Sequence, residues 1–334
     1  MAAYTTIDNP ELYFQVEIWT GNNTDDRAIT FGGSEDMAPN LVWIKNRDAA
    51  YRNFLVDTVR GATKVVRTDI SSVESTEAAS VKTFASDGFT LGTDAAVNGT
   101  DKYVSWSWVE STTAGFDIIT YTGNGAAQNI AHNLSAVPHF VMLFNRDATY
   151  EHFAWHKALA NDNALKLSTS DATSTYSHGQ IDETTDASNV VLAQATTVNN
   201  VSIDTNNYLL YVFAPKQGFS KFGSYWGNDN NDGTFVYCGF RPAYIMIKNI
   251  TIADSWFIYD AKRMPTNHTR YTVKANEPDA EQSGTTNEML DILSNGFKLR
   301  AAYGGTNDSS ENYIFAAFAE APLANSNGVP CNAR

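Results

Sequence analysis

The chain has 334 residues, 43% hydrophobic and 12% aromatic, enough apolar side chain for two or three cores and too much for a disordered polymer. Charged residues make up only 18%, the net charge is −14 and no basic run occurs, which excludes nucleic acid and anionic membranes as partners, because phosphate binding needs clustered Lys and Arg. Two cysteines, Cys238 and Cys331, are too few for a disulfide scaffold, and the apolar runs are strand-length, so no membrane insertion is expected.

In chain order, residues 1–12 read as an N-terminal lead-in with neither a basic nor an apolar signal region, so no secretory signal is expected. From 13 to 111 come short β-patterned runs, near 13–20, 28–31, 41–45, 53–57, 64–67, 83–91 and 103–109, with Asn, Gly and Asp between them. The plan restarts over 115–215 and again over 218–320. Trp19-Thr-Gly-Asn22 returns as Tyr121-Thr-Gly-Asn124 and Tyr225-Trp-Gly-Asn228; the apolar run Pro39 to Asn46 returns as Pro138 to Asn145 and Pro242 to Asn249. A ring recurs at Phe54, Phe153 and Trp256, and a closing strand begins at Tyr103, Tyr208 and Tyr313. Landmarks that keep order and spacing three times over identify an internal repeat. The resets at Ser111 to Gly115 and Pro215 to Gly218 leave linkers too short for neighbouring modules to swing freely. Residues 321–334 read as a C-terminal arm with no core of its own.

These runs predict an all-β fold of three tandem antiparallel β-sandwich modules, jelly-roll or lectin-like. Helix is expected only at Ala158–Leu165 and Asn287–Leu293. Alternate residues of a strand share a face. The closing strands put Val104, Trp106 and Trp108, Leu209, Tyr211 and Phe213, or Ile314, Ala316 and Phe318 on a core face. The strands after Pro put Val42 and Ile44, Val141 and Leu143, or Ile245 and Ile247 on an aliphatic face. Their other side, Leu41, Trp43 and Lys45 or Tyr244, Met246 and Lys248, suits a half-covered surface.

Chemistry-bearing patterns are sparse. Five of six histidines, His132, His139, His152, His156 and His178, fall in the second copy. The spacing of His152 and His156 suits one metal ion only on a helix; on the strand expected here the rings stand about 13 Å apart. No acid recurs in all three copies, so no carboxylate pair for glycoside hydrolysis stands out. No nucleophile elbow, P-loop or Rossmann glycine pattern is present, and no enzyme and no cofactor are expected. The loop Asn228-Asp-Asn-Asn-Asp-Gly233 resembles the start of a calcium loop but has Gly239 where the bidentate Glu belongs, which leaves a polar hairpin turn as the other reading. Trp226, a Thr in the other copies, with Tyr225, Asn228, Asp229 and Asp232 around it, carries the residue types of a sugar-stacking site or of a contact between modules or subunits. Trp43 and Tyr244 exceed what one core face needs and are expected in module or subunit contacts.

Three passages carry a resemblance: Ala3-Tyr-Thr-Thr-Ile-Asp-Asn-Pro10 leading into Trp19-Thr-Gly-Asn22; Asn40-Leu-Val-Trp-Ile-Lys-Asn-Arg-Asp48 with Asp87-Gly-Phe-Thr-Leu-Gly92; and Phe235 to Lys248 with Asn295-Gly-Phe-Lys-Leu-Arg300 and Tyr313 to Glu320. With these the chain resembles a module of unassigned function found in tail-fibre-like and other structural proteins of tailed bacteriophages, marine ones especially. The resemblance implies lectin-like sandwiches and no catalytic set. It implies a virion structural protein, tail-associated or on the capsid exterior, with other virion proteins as partners. The repeats and the surplus of aromatic side chains beyond what one core face needs point to a homo-oligomer, expected as a trimer. A receptor-recognition protein that grips host cell-surface glycan is the alternative, and a capsule-polysaccharide-degrading enzyme a second one. The second copy departs from the pattern, with Phe144 where its counterparts have Lys45 and Lys248.

Overall fold

The computed structural model describes residues 3–160, 163–175, 181–192, 205–282 and 289–332. Each copy builds one antiparallel sheet with its closing strand inside. In the first copy the order is Phe14–Thr20, Lys102–Trp108, Leu41–Asn46, Phe54–Asp57. The second runs Phe116–Thr122, Asn207–Phe213, Phe140–Asn145, Phe153–His156, then Asn163–Lys166 and Ser174–Thr175. The third runs Ser220–Trp226, Asn312–Pro322, Phe240–Asn249, Trp256–Asp260, Val273–Lys274.

The recurring residues have recurring jobs. Trp19 pairs with Tyr103, Tyr121 with Tyr208 and Tyr225 with Tyr313, and each pair of rings is stacked, with centroids 5.6, 5.0 and 5.1 Å apart. The Gly that follows is pressed on backbone: a Cβ on Gly21 would meet the Gly99 carbonyl at 2.1 Å, and one on Gly227 the Asp308 carbonyl at 2.1 Å. Asn46, Asn145 and Asn249 each accept two backbone N–H groups just ahead, closing the same Asx turn at the strand end.

A smaller sheet covers the outer face of each large one. It consists of Arg27–Ile29, Phe89–Leu91 and Val81–Phe84 in the first copy, of Gln128–Ala131 and Asn189–Leu192 in the second, and of Phe235–Tyr237, Gly296–Leu299 and Leu290–Leu293 in the third. The aliphatic faces close against these: Val42 and Ile44 pack with Trp19, Ile29 and Phe89, and Val141 and Leu143 with Val190 and Leu192.

The opposite faces meet one another. Trp108, Phe213 and Phe318 hold the same position in the three closing strands, and their rings form a triangle with centroid separations of 6.2, 5.5 and 5.6 Å. Trp43, Phe140, Met142, Tyr244 and Met246 fill in around them, leaving a void of about 10 Å³. The half-covered surface expected for Trp43, Lys45, Tyr244 and Lys248 is therefore a fully covered one, and all four side chains are buried. The reason is that each copy has two apolar faces, and only a neighbouring copy can cover the second.

Loops from one copy cap the next in a fixed direction. Glu74 N–H reaches the Arg146 carbonyl, Thr173 N–H the Ile250 carbonyl, and Glu281 N–H the Arg47 carbonyl, so first leans on second, second on third and third on first. The ring is closed. Asp57 and Arg60 pair at 2.6 Å, Asp57 accepts from the Tyr211 hydroxyl at 2.8 Å, and Arg60 continues to Glu74 and Glu74 to Arg146. The third copy repeats this against the first: Asp260 accepts from Trp106 Nε1 at 3.0 Å and pairs with Arg263, which continues to Glu281 and so to Arg47. In the second copy the same register positions hold His156 and Leu159, without charge.

Several expectations need correcting. Ala158–Leu165 is not a helix: its end belongs to Asn163–Lys166, a strand drawn into pairing with Phe153–His156. Of Asn287–Leu293, residues 287–288 lie outside the described residues and Leu290–Leu293 is a strand; the short helix is Ala95–Asn98, capped by Asp94. Register makes Phe257, not Trp256, the counterpart of Phe54 and Phe153: it lies opposite Ile247 as they lie opposite Ile44 and Leu143. Trp256 stands instead with Asn53 and His152, facing the preceding copy's strand Asn163–Lys166, where its Nε1 donates to the Lys166 carbonyl at 3.2 Å. The lead-in and the arm are docked: Ile7 is buried in the shared core, Thr5 Oγ1 donates to the Gln217 carbonyl, and Asp8 accepts from Ser326 N–H.

Candidate binding surface

The residues singled out around the third copy's Trp226 do not share one environment. Tyr225 is buried against Tyr313 with its hydroxyl on the Thr306 carbonyl at 2.7 Å, and Trp43 and Tyr244 are only 1% exposed in the shared core, so none of the three can touch a glycan or a second subunit. Asn228 to Gly233 is a turn tied to the buried Asn307, whose Nδ2 donates to Asn228 Oδ1 and to the Asn230 carbonyl, both at 3.0 Å. Asp229 adopts φ 49°, and Asp232 pairs with Lys298 at 2.7 Å and with Arg300 at 3.3 Å. Lys298 holds the Asp232 carboxyl below its usual range. The oxygens expected of a calcium loop are thus engaged by N–H groups and cations. His156 ends the strand Phe153–His156 and His152 immediately precedes it, both buried, and His178 lies outside the described residues. Among the described residues, no group of three or more His, Cys, Asp or Glu is placed to hold a metal.

Trp226 is different. It ends its strand 62% exposed, and the chain then crosses from the large sheet to the small one, so Asn228 to Gly233 is no hairpin turn. The chain passes Thr234, whose hydroxyl donates to the Trp226 carbonyl, into Phe235 at 44% and Tyr237 at 46%. Among the described residues these are the exposed aromatic side chains. Register gives their counterparts: Thr20 and Thr122 for Trp226, Ala28 and Asn129 for Phe235, Thr30 and Ala131 for Tyr237. The fold is built twice without a ring at any of these places. Phe235 and Tyr237 alternate with the buried Val236, so the run Phe-Val-Tyr had to show two rings to solvent; that signal was present in the sequence.

Beside each copy's first strand lies a crevice: about 390 Å³ beside the first copy's, where Ala243, Lys262 and Glu320 of the third copy form the far wall, 260 Å³ beside the second copy's and 300 Å³ beside the third's. One register position lines all three: Gln15, Asp117 and Lys221. The second copy's crevice is acidic. Glu110 and Asp117 both line it, and burial together with that neighbouring carboxyl pushes Glu110 up to about 7. This pair spans the linker between copies and escaped the sequence reading because neither acid recurs. The third copy's crevice is lined by Lys216 and Lys221 and by no acid. Lys221 Nζ donates to the Tyr237 carbonyl at 2.7 Å and sits 5.1 Å from that ring's centroid, while burial lowers the affinity of the Lys216 amine for its proton.

Three sandwich sheets closed about one core, with chemistry that differs between the crevices beside their first strands, define a repeat protein whose copies share a scaffold rather than a site. The chain belongs to the family described as a domain of unknown function, DUF7483, whose profile matches residues 9–322, all three copies together. No curated protein matches the sequence.

Proposed function

We propose that the chain is a structural component of a bacteriophage particle, displayed on the exterior, which works by surface recognition and turns over no substrate. The observation that supports recognition is the contrast among copies: exposed rings and acid-free lysines collect on the third copy, where the scaffold does not need them. The virion setting rests on the sequence resemblance. In this reading the aromatic faces that suggested a trimer are used within one chain, which acts as its own threefold and joins other virion proteins through its outer hairpins. Mass spectrometry of purified particles tests it: peptides from all three copies are expected in the intact virion at structural abundance, and their absence would refute the proposal. Incubation with capsular polysaccharide should release no reducing ends; release that depends on Glu110 or Asp117 would favour the enzyme instead.

A further inference from the structure

We propose that the third copy's crevice, between Lys216 and Lys221 and walled by the Tyr237 ring, binds the carboxylate-bearing sugar of an acidic polysaccharide. The inference deepens the recognition reading above and rests on it. At about 300 Å³ the crevice is at the small end of ligand pockets, room for a single sugar with its chain continuing outside. Both lysines are half-buried, and among the described residues neither forms an ion pair and no Asp or Glu lines the crevice. In a chain with a net charge of −14 that is a local reversal of sign. The reversal is specific to this copy, because Asp117 and Gln15 occupy the place of Lys221 elsewhere and the same strands form.

Charge and shape together select the occupant. Two ammonium groups neutralise one or two negative charges; a nucleic acid needs an extended basic track, and the surrounding acidic surface repels a dense polyanion. A uronic acid presents one carboxylate beside a C–H face, and the exposed Tyr237 ring supplies the apolar plane for that face. Phe235 lies two residues along the same strand face, about 7 Å away, where a following sugar would pass. The N-terminal segment braces the lining residues from behind: Tyr4 donates to the Gly239 carbonyl at 2.7 Å, and its hydroxyl is 3.5 Å from that of Tyr237.

Titration calorimetry of the full chain with tetragalacturonate, maltotetraose and inorganic phosphate tests this at low and at physiological salt. Tetragalacturonate should bind, weakening several-fold with salt, and Lys216→Gln, Lys221→Gln and Tyr237→Ala should each weaken it about tenfold. Maltotetraose should not bind measurably. The melting temperature of each variant is recorded alongside, and Lys216→Gln, furthest from any structural hydrogen bond, carries the test if Lys221→Gln loosens the strand Phe235–Tyr237. Absence of tetragalacturonate binding, equal binding by the Lys216→Gln/Lys221→Gln double variant, or displacement by phosphate at equal concentration would overturn the assignment. A chain present in virions that fails this assay loses the ligand and keeps the structural role, so the two proposals fail separately.

Discussion

Lowering the pH should open the ring at the second copy before it opens elsewhere. His152 and His156 stand where the other copies place Asn53 and Trp256, and Asp57 and Asp260. His152 is buried against Phe144, with the Ser72 backbone of the first copy's loop beside it, and burial pushes its imidazole down to about 4. His156 accepts from Ala158 N–H through Nδ1 and faces the Phe315 backbone of the third copy, and burial pushes it down to about 3. Both rings are neutral in the folded chain at pH 7.5. Once unfolded they take up protons near pH 6.5; folded, they do so only near 4 and 3, so stability is complete above 6.5 and falls as pH descends toward those values. Each pH unit in that window removes about 1.4 kcal/mol per ring, so at pH 4.5 the two rings have lost about 5 kcal/mol, the whole margin of many domains. Urea unfolding followed by tryptophan fluorescence at pH 7.5 and 4.5 measures the loss, with His152→Asn/His156→Gln as the reference that cannot titrate. The wild-type chain should lose about 5 kcal/mol more than the double variant over that interval. Equal losses in the two proteins would refute the assignment of acid sensitivity to these rings.

Arg60→Ala should cost about 3–5 kcal/mol in chemical unfolding, because Asp57 is left buried without its cation, whereas Asp57→His/Arg60→Leu, the pair found in the second copy, should recover most of it. Glu110→Gln should raise the melting temperature at pH 8 and leave it unchanged at pH 4. The wild-type carboxyl, raised by burial to about 7, contributes its stability below 4.5 and loses it as pH climbs through 7; half-exposure limits the gain to about 1 kcal/mol. A circular permutant opened between the exposed Thr112 and Thr113, with the old termini joined by a flexible linker, should fold, since Asp8 and Ser326 already hold the ends together; failure to reach a native circular dichroism spectrum would contradict the closed ring. Light scattering should return the mass of a single chain at micromolar concentration, and a stable trimer would reopen the question of subunit contacts.

The repeat and the strand plan were legible because their markers act locally. The stacked ring pairs, the Gly pressed on backbone and the Asx turn after each central strand each leave a residue type at a fixed offset. What covers a strand's second face leaves no such mark. Trp43 and Tyr244 alternate as surface residues of a lone sandwich would, and only the neighbouring copy turns that surface into interior. Trp256 and Phe257 are adjacent rings, so sequence spacing alone does not tell which of them matches Phe54 and Phe153, and a one-residue slip picks the ring on the other face. Lys216, Lys221, Glu110 and Asp117 were passed over because an unrepeated charge in a repeated chain looks like drift. Lined up by register, those unrepeated charges are the clearest sign of difference among the copies.

The triangle of Trp108, Phe213 and Phe318 has an evolutionary corollary. In a true homotrimer one codon would set all three corners and all three crevices at once. Here each corner and each crevice has its own codon, so one third of the molecule can change its surface chemistry while the other two keep the axis intact.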